Sequence, residues 1–264
     1  GARDIHVQWA QESFDQAGML REYLKWDYEL RHPGQLEAVV DRALELALDE
    51  PRGPVYLSLP RDVIARPLQE ITITSPSRRQ VAGRAFPDPA DIEAAAEILA
   101  RARRPLVIAS EAGQDSRAVA ALVKLAEAGA MQVLEASPTQ VNFPAAHHGH
   151  AGYVFGSQLH PDIDKADAIL VLECDVPWFP ARLSLPDRTR VVHIATDPHF
   201  ARYPNRNFRC DVAIAADPTV ALNSLAKAVR RRAGKDDVRL RRQRLAKRYA
   251  ARRAAWDKAA GAES

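Results

Sequence analysis

The sequence predicts an α/β fold: a Rossmann-like parallel sheet flanked by helices in the larger, C-terminal part of the chain, with a partial second α/β domain at the N-terminus. Three observations carry this. Helical and strand patterns alternate from residue 88 to residue 226, the order that places parallel strands in one sheet with helices packed on its faces. The strand candidates there, such as PLVIA at Pro105–Ala109, are short and continuously apolar, as strands buried on both faces are. Far upstream, RGPVYLSLPRDV at Arg52–Val63 holds a lone strand bracketed by prolines; one strand cannot form a sheet, so it requires neighbours of its own.

Residues 1 to 34 are indistinct, with Trp9, Phe14, Trp26 and Tyr28 as their main apolar material. QLEAVVDRALELALD, Gln35–Asp49, puts Leu36, Val39, Val40, Ala43, Leu44, Ala47 and Leu48 on one helical face, and Pro51 and Gly53 end it. Val55, Leu57 and Leu59 then alternate with Tyr56 and Ser58 between Pro54 and Pro60, prolines that cannot donate to a ladder. Pro67–Pro87 is polar and irregular and reads as an interdomain linker. Asp88-Pro89 offers a helix N-cap with proline in the first helical position, and Ile92, Ala95, Ala96 and Leu99 form the apolar stripe of a helix ending near Arg103.

After the strand at 105–109 the patterns predict a helix over Ser116–Ala128, a strand over Met131–Leu134, a long loop, and strands at Ala168–Leu172, Arg190–Ala195 and Asp211–Ala215. Asp217-Pro218 begins a helix that runs through Leu222, Leu225 and Val229. In the tail, Val238, Leu245, Tyr249 and Trp256 fall on one helical stripe, with Arg241, Arg242, Arg244, Lys247, Arg248, Arg252 and Arg253 around it. The narrow apolar seam, chiefly Tyr249 and Trp256, is therefore expected to dock this helix on the acidic body or on a partner subunit. The expected divisions are 1–66, a 67–87 linker, 88–230 for the Rossmann-like domain, and 231–264 for a basic connecting helix.

The chain has 264 residues, 27% charged and 47% hydrophobic, the balance of a soluble globular protein. No run of about 18 apolar residues is present to span a bilayer. The segment GARDIHVQWAQ lacks the pattern of a signal peptide, and two cysteines, Cys174 and Cys210, cannot build a disulfide framework. A cytoplasmic location is expected. Net charge is +3, but residues 227–264 hold 14 Lys+Arg against 4 Asp+Glu, so the body is acidic and the tail basic. A solvated helix face explains such a tail without nucleic acid, which is not expected as a partner.

Ser110-Glu111-Ala112-Gly113-Gln114-Asp115-Ser116 lies where a phosphate loop would, between strand and helix, but has a single glycine. A dinucleotide fingerprint needs several, and Glu111 would repel a pyrophosphate. The carboxyl edge of the sheet is left open to ADP, CoA or FAD held by looser contacts. Asp197, in HIATDP, ends a strand at the position where a ribose hydroxyl is often held, whereas Asp217, in AIAADP, reads as a helix cap. His147, His148, His150 and His160 are adjacent loop imidazoles without the separation that metal ligands need. No GxSxG, Walker loop, GxGxxG or Cys-His pair occurs, so no catalytic and no metal-binding residue is assigned.

Taken together, DQAGMLREYLKWDYEL, QLEAVVDRALELAL, RGPVYLSLPRDV, RRPLVIAS, LAEAGAMQVLEA, VNFPAAHHGHAGY, DAILVLECDVPWFP and VVHIATDP resemble, in order, the thiamine-diphosphate-dependent enzymes of the acetolactate synthase and benzoylformate decarboxylase type. The resemblance covers roughly residues 5 to 226. It implies that 1–66 is the end of a pyrimidine-binding domain and 88–230 the family's middle domain. The family's activating glutamate and its magnesium- and diphosphate-holding GDG...N segment are not in the sequence, and Glu12 lacks the glutamate's surrounding pattern. The implied parent protein uses thiamine diphosphate and magnesium to decarboxylate a 2-oxo acid, or to join the resulting carbanion to an aldehyde or ketone, and is a homo-oligomer, a dimer or tetramer. This chain alone is then an incomplete, inactive part of it. FAD-binding members carry Gly-x-Arg after the strand at 168–172; Glu173-Cys174-Asp175-Val176-Pro177-Trp178 stands there instead, which counts against FAD. Gly113, Asp175 and Asp197 are the candidate cofactor-binding residues. The rival reading is a self-contained adenine-nucleotide or CoA-binding module.

Overall fold

The computed structural model describes residues 15–262 except residue 69 and residues 79–81. Trp9, Glu12 and Phe14 lie outside the described residues. Two compact units divide at Gly83/Arg84.

The first unit is a single β-α-β crossover. β1 (Trp26–Glu29) and β2 (Val55–Ser58) pair in parallel, Trp26 opposite Val55 and Glu29 opposite Ser58, joined by α1 (Leu36–Leu48) and followed by the short α2 (Arg61–Ile64). The proline-bracketed strand thus has a neighbour in a stretch that the sequence left indistinct, because WDYE carries two acids among its aromatics. Leu30, Val39 and Val63 form a small core against Trp26, Tyr28, Leu36 and Leu57. Much of the predicted stripe stays outside it: Leu44 is 55% and Leu48 51% exposed, as is Ile64 at 56%.

In the second unit six strands lie in one parallel sheet. They are β3 (Pro105–Ala109), β4 (Gln132–Ala136), β5 (His150–Val154), β6 (Ala168–Leu172), β7 (Arg190–Ala195) and β8 (Val212–Ala215), in the order β5-β4-β3-β6-β7-β8. The sheet starts at β3, grows outward through β4 and β5, then returns to the other side of β3. α3 (Pro89–Arg101), α4 (Ser116–Gly129) and α6 (Pro218–Arg232) cover one face, burying Leu99, Leu122, Leu125, Leu222 and Leu225 against Val107, Leu170 and Ile194. The other face is covered mainly by irregular chain, with Trp178, Leu185 and Phe208, and by Ile163 from the short α5 (Pro161–Lys165). The expected long loop therefore contains β5 and α5. Side-chain oxygens of Asp88, Asp115 and Asp217 cap α3, α4 and α6, satisfying N–H groups that a helix start leaves open.

The tail is one helix, α7 (Lys235–Ala262), and arginines rather than the aromatic seam dock it. Arg241, 3% exposed, donates from Nη1 to Gly129 O at 2.9 Å and from Nη2 to Ala100 O at 2.6 Å, the last turns of α4 and α3. Arg242 donates to Glu127 O and Arg244 to Arg103 O. Arg248 grips the Asp162 carboxylate with both Nη atoms, at 2.7 and 2.6 Å, and Arg252 donates to His150 O. Helix C-termini expose carbonyls and carry about half a negative charge, and guanidinium forks match both needs. Trp256 stays 45% exposed under Arg252, whose carbon lies 5.0 Å from its ring centroid. Within this chain the expectation that Tyr249 and Trp256 lead the docking on the acidic body is thus corrected: arginine hydrogen bonds fasten the helix, and Tyr249 contributes a ring contact with His148 at 4.7 Å.

One carboxylate lies deep in the sheet. Glu135 on β4 is fully buried and accepts from Asn142 N at 2.9 Å and Asn142 Nδ2 at 3.1 Å, with His150 Nε2 at 3.0 Å. Burial alone would raise its pKa, but the bonds from His150 and Asn142 outweigh it and hold it below the ordinary 4.5.

Two predictions follow from this architecture. Arg241→Met keeps an unbranched apolar stem and removes both carbonyl donors, so unfolding in urea should show a loss of about 2–3 kcal/mol, against less than about 1 kcal/mol for Trp256→Ala; the reverse ranking would restore the aromatic seam as the dock. The lowered pKa of Glu135 means that its ionised form contributes stability above about pH 4.5 that is lost as pH falls through the folded value. The wild-type urea midpoint should therefore drop more steeply below pH 4.5 than that of Glu135→Gln, and equal slopes would remove Glu135 from the acid response.

Candidate functional site

In an open parallel sheet, ligands bind outside the carboxyl ends of the strands, at the point where strand order reverses. Here that point lies between β3 and β6. The two chains stay hydrogen bonded past their ladder, Ser110 N to Leu172 O at 3.4 Å and Glu111 N to Glu173 O at 3.0 Å. Glu173 has φ +40°, an uncommon left-handed conformation for a side-chain-bearing residue; its N–H reaches Ile194 O and its carboxylate accepts Thr196 N at 2.7 Å. The ends of β3, β6 and β7 are thereby fastened into one edge.

All three candidate cofactor-binding residues lie on this edge, in different circumstances. Gly113 N donates to Asn142 Oδ1 at 2.9 Å, and a Cβ at Gly113 would stand 2.4 Å from Val141 O. The glycine is required by the close approach of the protein's own 137–149 loop, and its N–H is already spent. Asp197 accepts His199 N at 3.2 Å and Ala201 N at 2.7 Å, closing the turn after β7. Asp175 accepts Val176 N at 2.7 Å and the Tyr203 hydroxyl at 3.0 Å. Burial and this bond push the Tyr203 phenol up to about 12. Partial burial and the Asp175 carboxylate raise Glu111, so the edge is negative where β3 and β6 meet.

Between Asp175 and Asp197 stands a residue that sequence reasoning missed. Arg206 donates to Asp175 O at 2.9 Å, Pro198 O at 3.3 Å and Cys174 O at 3.3 Å, with Phe200 and Phe208 rings 4.7 and 5.0 Å from its guanidinium. Its Nη2 lies 3.5 Å from Nδ1 of His193, a histidine in the interior of β7. The one available signal was the lone imidazole in the otherwise apolar RVVHIA.

The remaining chemistry is structural. Cys174 is buried, and burial pushes its thiol up to about 12, far from a nucleophilic thiolate at neutral pH. His147 faces Glu127 at 3.7 Å, His148 packs on Tyr249, His150 meets Glu135, and His160 caps α5. Among the described residues, no group of three or more His, Cys, Asp or Glu could hold a metal ion, and no helix is long and apolar enough to cross a membrane.

Comparison with known proteins gives this edge its context. Benzoylformate decarboxylase of Pseudomonas aeruginosa is 28% identical over 233 residues, covering 86% of this chain and 43% of that protein. The probable acetolactate synthase large subunit of Methanocaldococcus jannaschii is 24% identical over 227 residues, covering 83% and 38%. This chain thus spans about two fifths of the length of these curated relatives. In fold it is similar to a thiamin diphosphate-dependent enzyme from Mycobacterium smegmatis, with TM-score 0.72 and 23% identity, covering 86% of this chain and 44% of the other. A crystal structure of benzoylformate decarboxylase from Polynucleobacter necessarius gives TM-score 0.71 at the same identity, covering 86% and 43%. The family model for the thiamine pyrophosphate enzyme central domain matches residues 92–225, half of the chain and nearly the whole of the six-stranded sheet with α3 and α6, so the chain belongs to the thiamine pyrophosphate enzyme family through that central domain.

Proposed function

We propose that these residues form the central scaffold of a thiamine-diphosphate-dependent enzyme that decarboxylates a 2-oxo acid or joins the resulting carbanion to an aldehyde or ketone, and that by themselves they are catalytically silent. In this reading residues 1–66 end a pyrimidine-binding domain, 67–87 link it to the middle domain at 88–230, and the helix from 231 continues to the rest of a cytoplasmic homo-oligomer.

The observation that carries the scaffold role is the character of the sheet's carboxyl edge. The residues present do not fit thiamine diphosphate: Glu111 and Asp175 would oppose its phosphates, the Gly113 N–H is committed to Asn142, and among the described residues no metal-ligating cluster is formed. The sequence also contains no Gly-Asp pair from which a GDG...N segment could start. What the chain supplies is a rigid sheet, with its strand ends fastened by Glu173 and its amino edge by α7. A narrower second reading places the ribose hydroxyls of ADP or CoA against Asp197, favoured by its position just past the carboxyl end of β7, with the phosphates turned away from Glu111 and Asp175.

Titration calorimetry of this chain with thiamine diphosphate, with and without magnesium, is expected to show no binding; micromolar affinity would overturn the scaffold reading. For the second reading, ADP or CoA should raise the melting temperature, and Asp197→Asn, whose amide oxygen can still accept in the 199–201 turn, should remove that rise. An unchanged rise in the variant, or none in the wild type, would leave Asp197 as a turn former only.

A further inference from the structure

At the amino edge of the sheet, opposite the edge considered for nucleotides, α7 leaves a groove of about 450 Å³ against the chain that joins α3 to β3. One side is the face of α7 that carries Asp237, Leu240, Arg244 and Lys247; Arg103 lines the other. From residue 237 to residue 247 a helix rises about 15 Å, the reach of four or five residues of extended chain at roughly 3.3 Å each.

The groove is short of negative charge. Arg244 donates from Nη2 to Arg103 O at 2.7 Å, which holds its guanidinium against Arg103. Arg103, Arg244 and Lys247 are all exposed, and among the described residues none of them pairs with a carboxylate. The two acids close by serve other groups. Asp167 spends its carboxylate on Arg103 N and Arg104 N. Burial lowers the pKa of Arg241 and the Arg244 charge adds to this, while Asp237 and Asp167 oppose it, so their negative field is drawn toward that buried guanidinium.

The helix sequence concentrates the excess. Its ends carry ion pairs, Arg239 with Asp236 and Arg253 with Asp257, whereas residues 239–256 include no acid. Arg241, Arg244, Lys247 and Arg248 stand three or four residues apart, a spacing at which like charges repel and an intervening acid would relieve them. Arg241 and Arg248 are answered from other elements, by the ends of α3 and α4 and by Asp162. Arg244, Lys247 and Arg103 are not, and a surface kept only for solubility would mix the signs.

Leu240, 54% exposed between these cations, adds an apolar contact. Carboxylates spaced along a chain, with an apolar side chain among them, complement this pattern, and arginine takes a carboxylate with two bonds at once. Nucleic acid complements it less well. A duplex carries a charge about every 1.7 Å along its axis and requires a continuous basic track, which Asp237 interrupts, and no aromatic side chain lines the groove for a base to stack on.

We propose that the groove between α7 and Arg103 docks an acidic peptide segment of a partner protein, its carboxylates on Arg103, Arg244 and Lys247 and an apolar side chain on Leu240. This surface is independent of the thiamine-diphosphate reading and of any nucleotide at Asp197.

The test is fluorescence anisotropy of the full chain with a labelled peptide Glu-Glu-Leu-Glu-Glu at low salt, beside Glu-Glu-Ser-Glu-Glu and Lys-Lys-Leu-Lys-Lys. The leucine peptide is expected to bind best and to weaken as salt rises. Arg103→Gln with Lys247→Gln should cost about tenfold in affinity, and Leu240→Ser should remove the advantage of leucine over serine. Arg253→Gln with Lys258→Gln removes the same charge from the same helix outside the groove and should change binding less than about twofold. These positions are exposed, where substitutions leave folding intact. Equal losses in the two double variants would mean that the general positive field attracts the peptide and would overturn the site. So would no preference for the acidic peptides over the lysine one, or a short DNA duplex that binds more tightly than the peptide and is weakened by the same Arg103 and Lys247 changes.

Discussion

The direction of a parallel sheet governs everything else in this molecule. Each crossover helix must run back against the strands, so the C-termini of α3, α4 and α6 gather at the strands' amino edge and their N-termini at the carboxyl edge. Helix ends carry opposite partial charges and unpaired backbone groups of opposite kinds. The sequence answers with opposite side chains. Asp88, Asp115 and Asp217 cap the N-termini at one edge, and Arg241, Arg242 and Arg244 take carbonyls at or just beyond the C-termini of α3 and α4 at the other. The contrast between an acidic body and a basic tail is thus largely a product of fold polarity, and most of the tail's arginines are committed before any outside anion arrives.

The same sorting limits the carboxyl edge. With acidic caps already in place, Glu111 and Asp175 at the strand crossover make the surroundings hostile to a diphosphate. Gly113, which in a phosphate loop would lend its N–H to a ligand, is closed by Val141 and bonded to Asn142. That bond is one end of a buried chain through Asn142 and Glu135 to His150, whose carbonyl receives Arg252. Polar groups that could have served a ligand hold the loop between β4 and β5 in place.

Strands with uniform surroundings were legible and those with mixed surroundings were not. β3 and β6 bury every residue and β7 all but its first, so unbroken apolar runs announced them. β5, HAGYV, is an edge strand of mixed burial containing a histidine and a glycine, and β1, WDYE, sits in a two-stranded sheet too small to bury either face; neither has a period to detect. The tail misled for a related reason. Helical periodicity registers apolar stripes, whereas α7 is docked along guanidinium groups whose partners are carbonyls on α3, α4 and β5, invisible in the tail's own sequence. The position of Asp197 at the end of β7 was legible because a parallel strand's end is a recognisable place; the surroundings of Arg206 were not, because its contacts with His193, Cys174 and Asp175 come from chain distant in sequence, folded together over the ends of β6 and β7.

Arg241 and Arg206 show two ways in which this fold balances a cation drawn away from water. Both are partly withdrawn from water, and both spend their hydrogen bonds on backbone carbonyls. Arg241 meets carbonyls at the ends of two helices, where aligned peptide dipoles supply negative potential, so its charge is matched although no carboxylate touches it. Arg206 meets isolated loop carbonyls, which carry no such sum; burial lowers its pKa, and the nearby Asp175 and Asp197 charges act in the opposite direction. Arg241 is therefore balanced by the polarity of the fold itself, whereas Arg206 depends on side chains gathered over the ends of β6 and β7, so one hydrogen-bonding pattern rests on two different sources of negative potential.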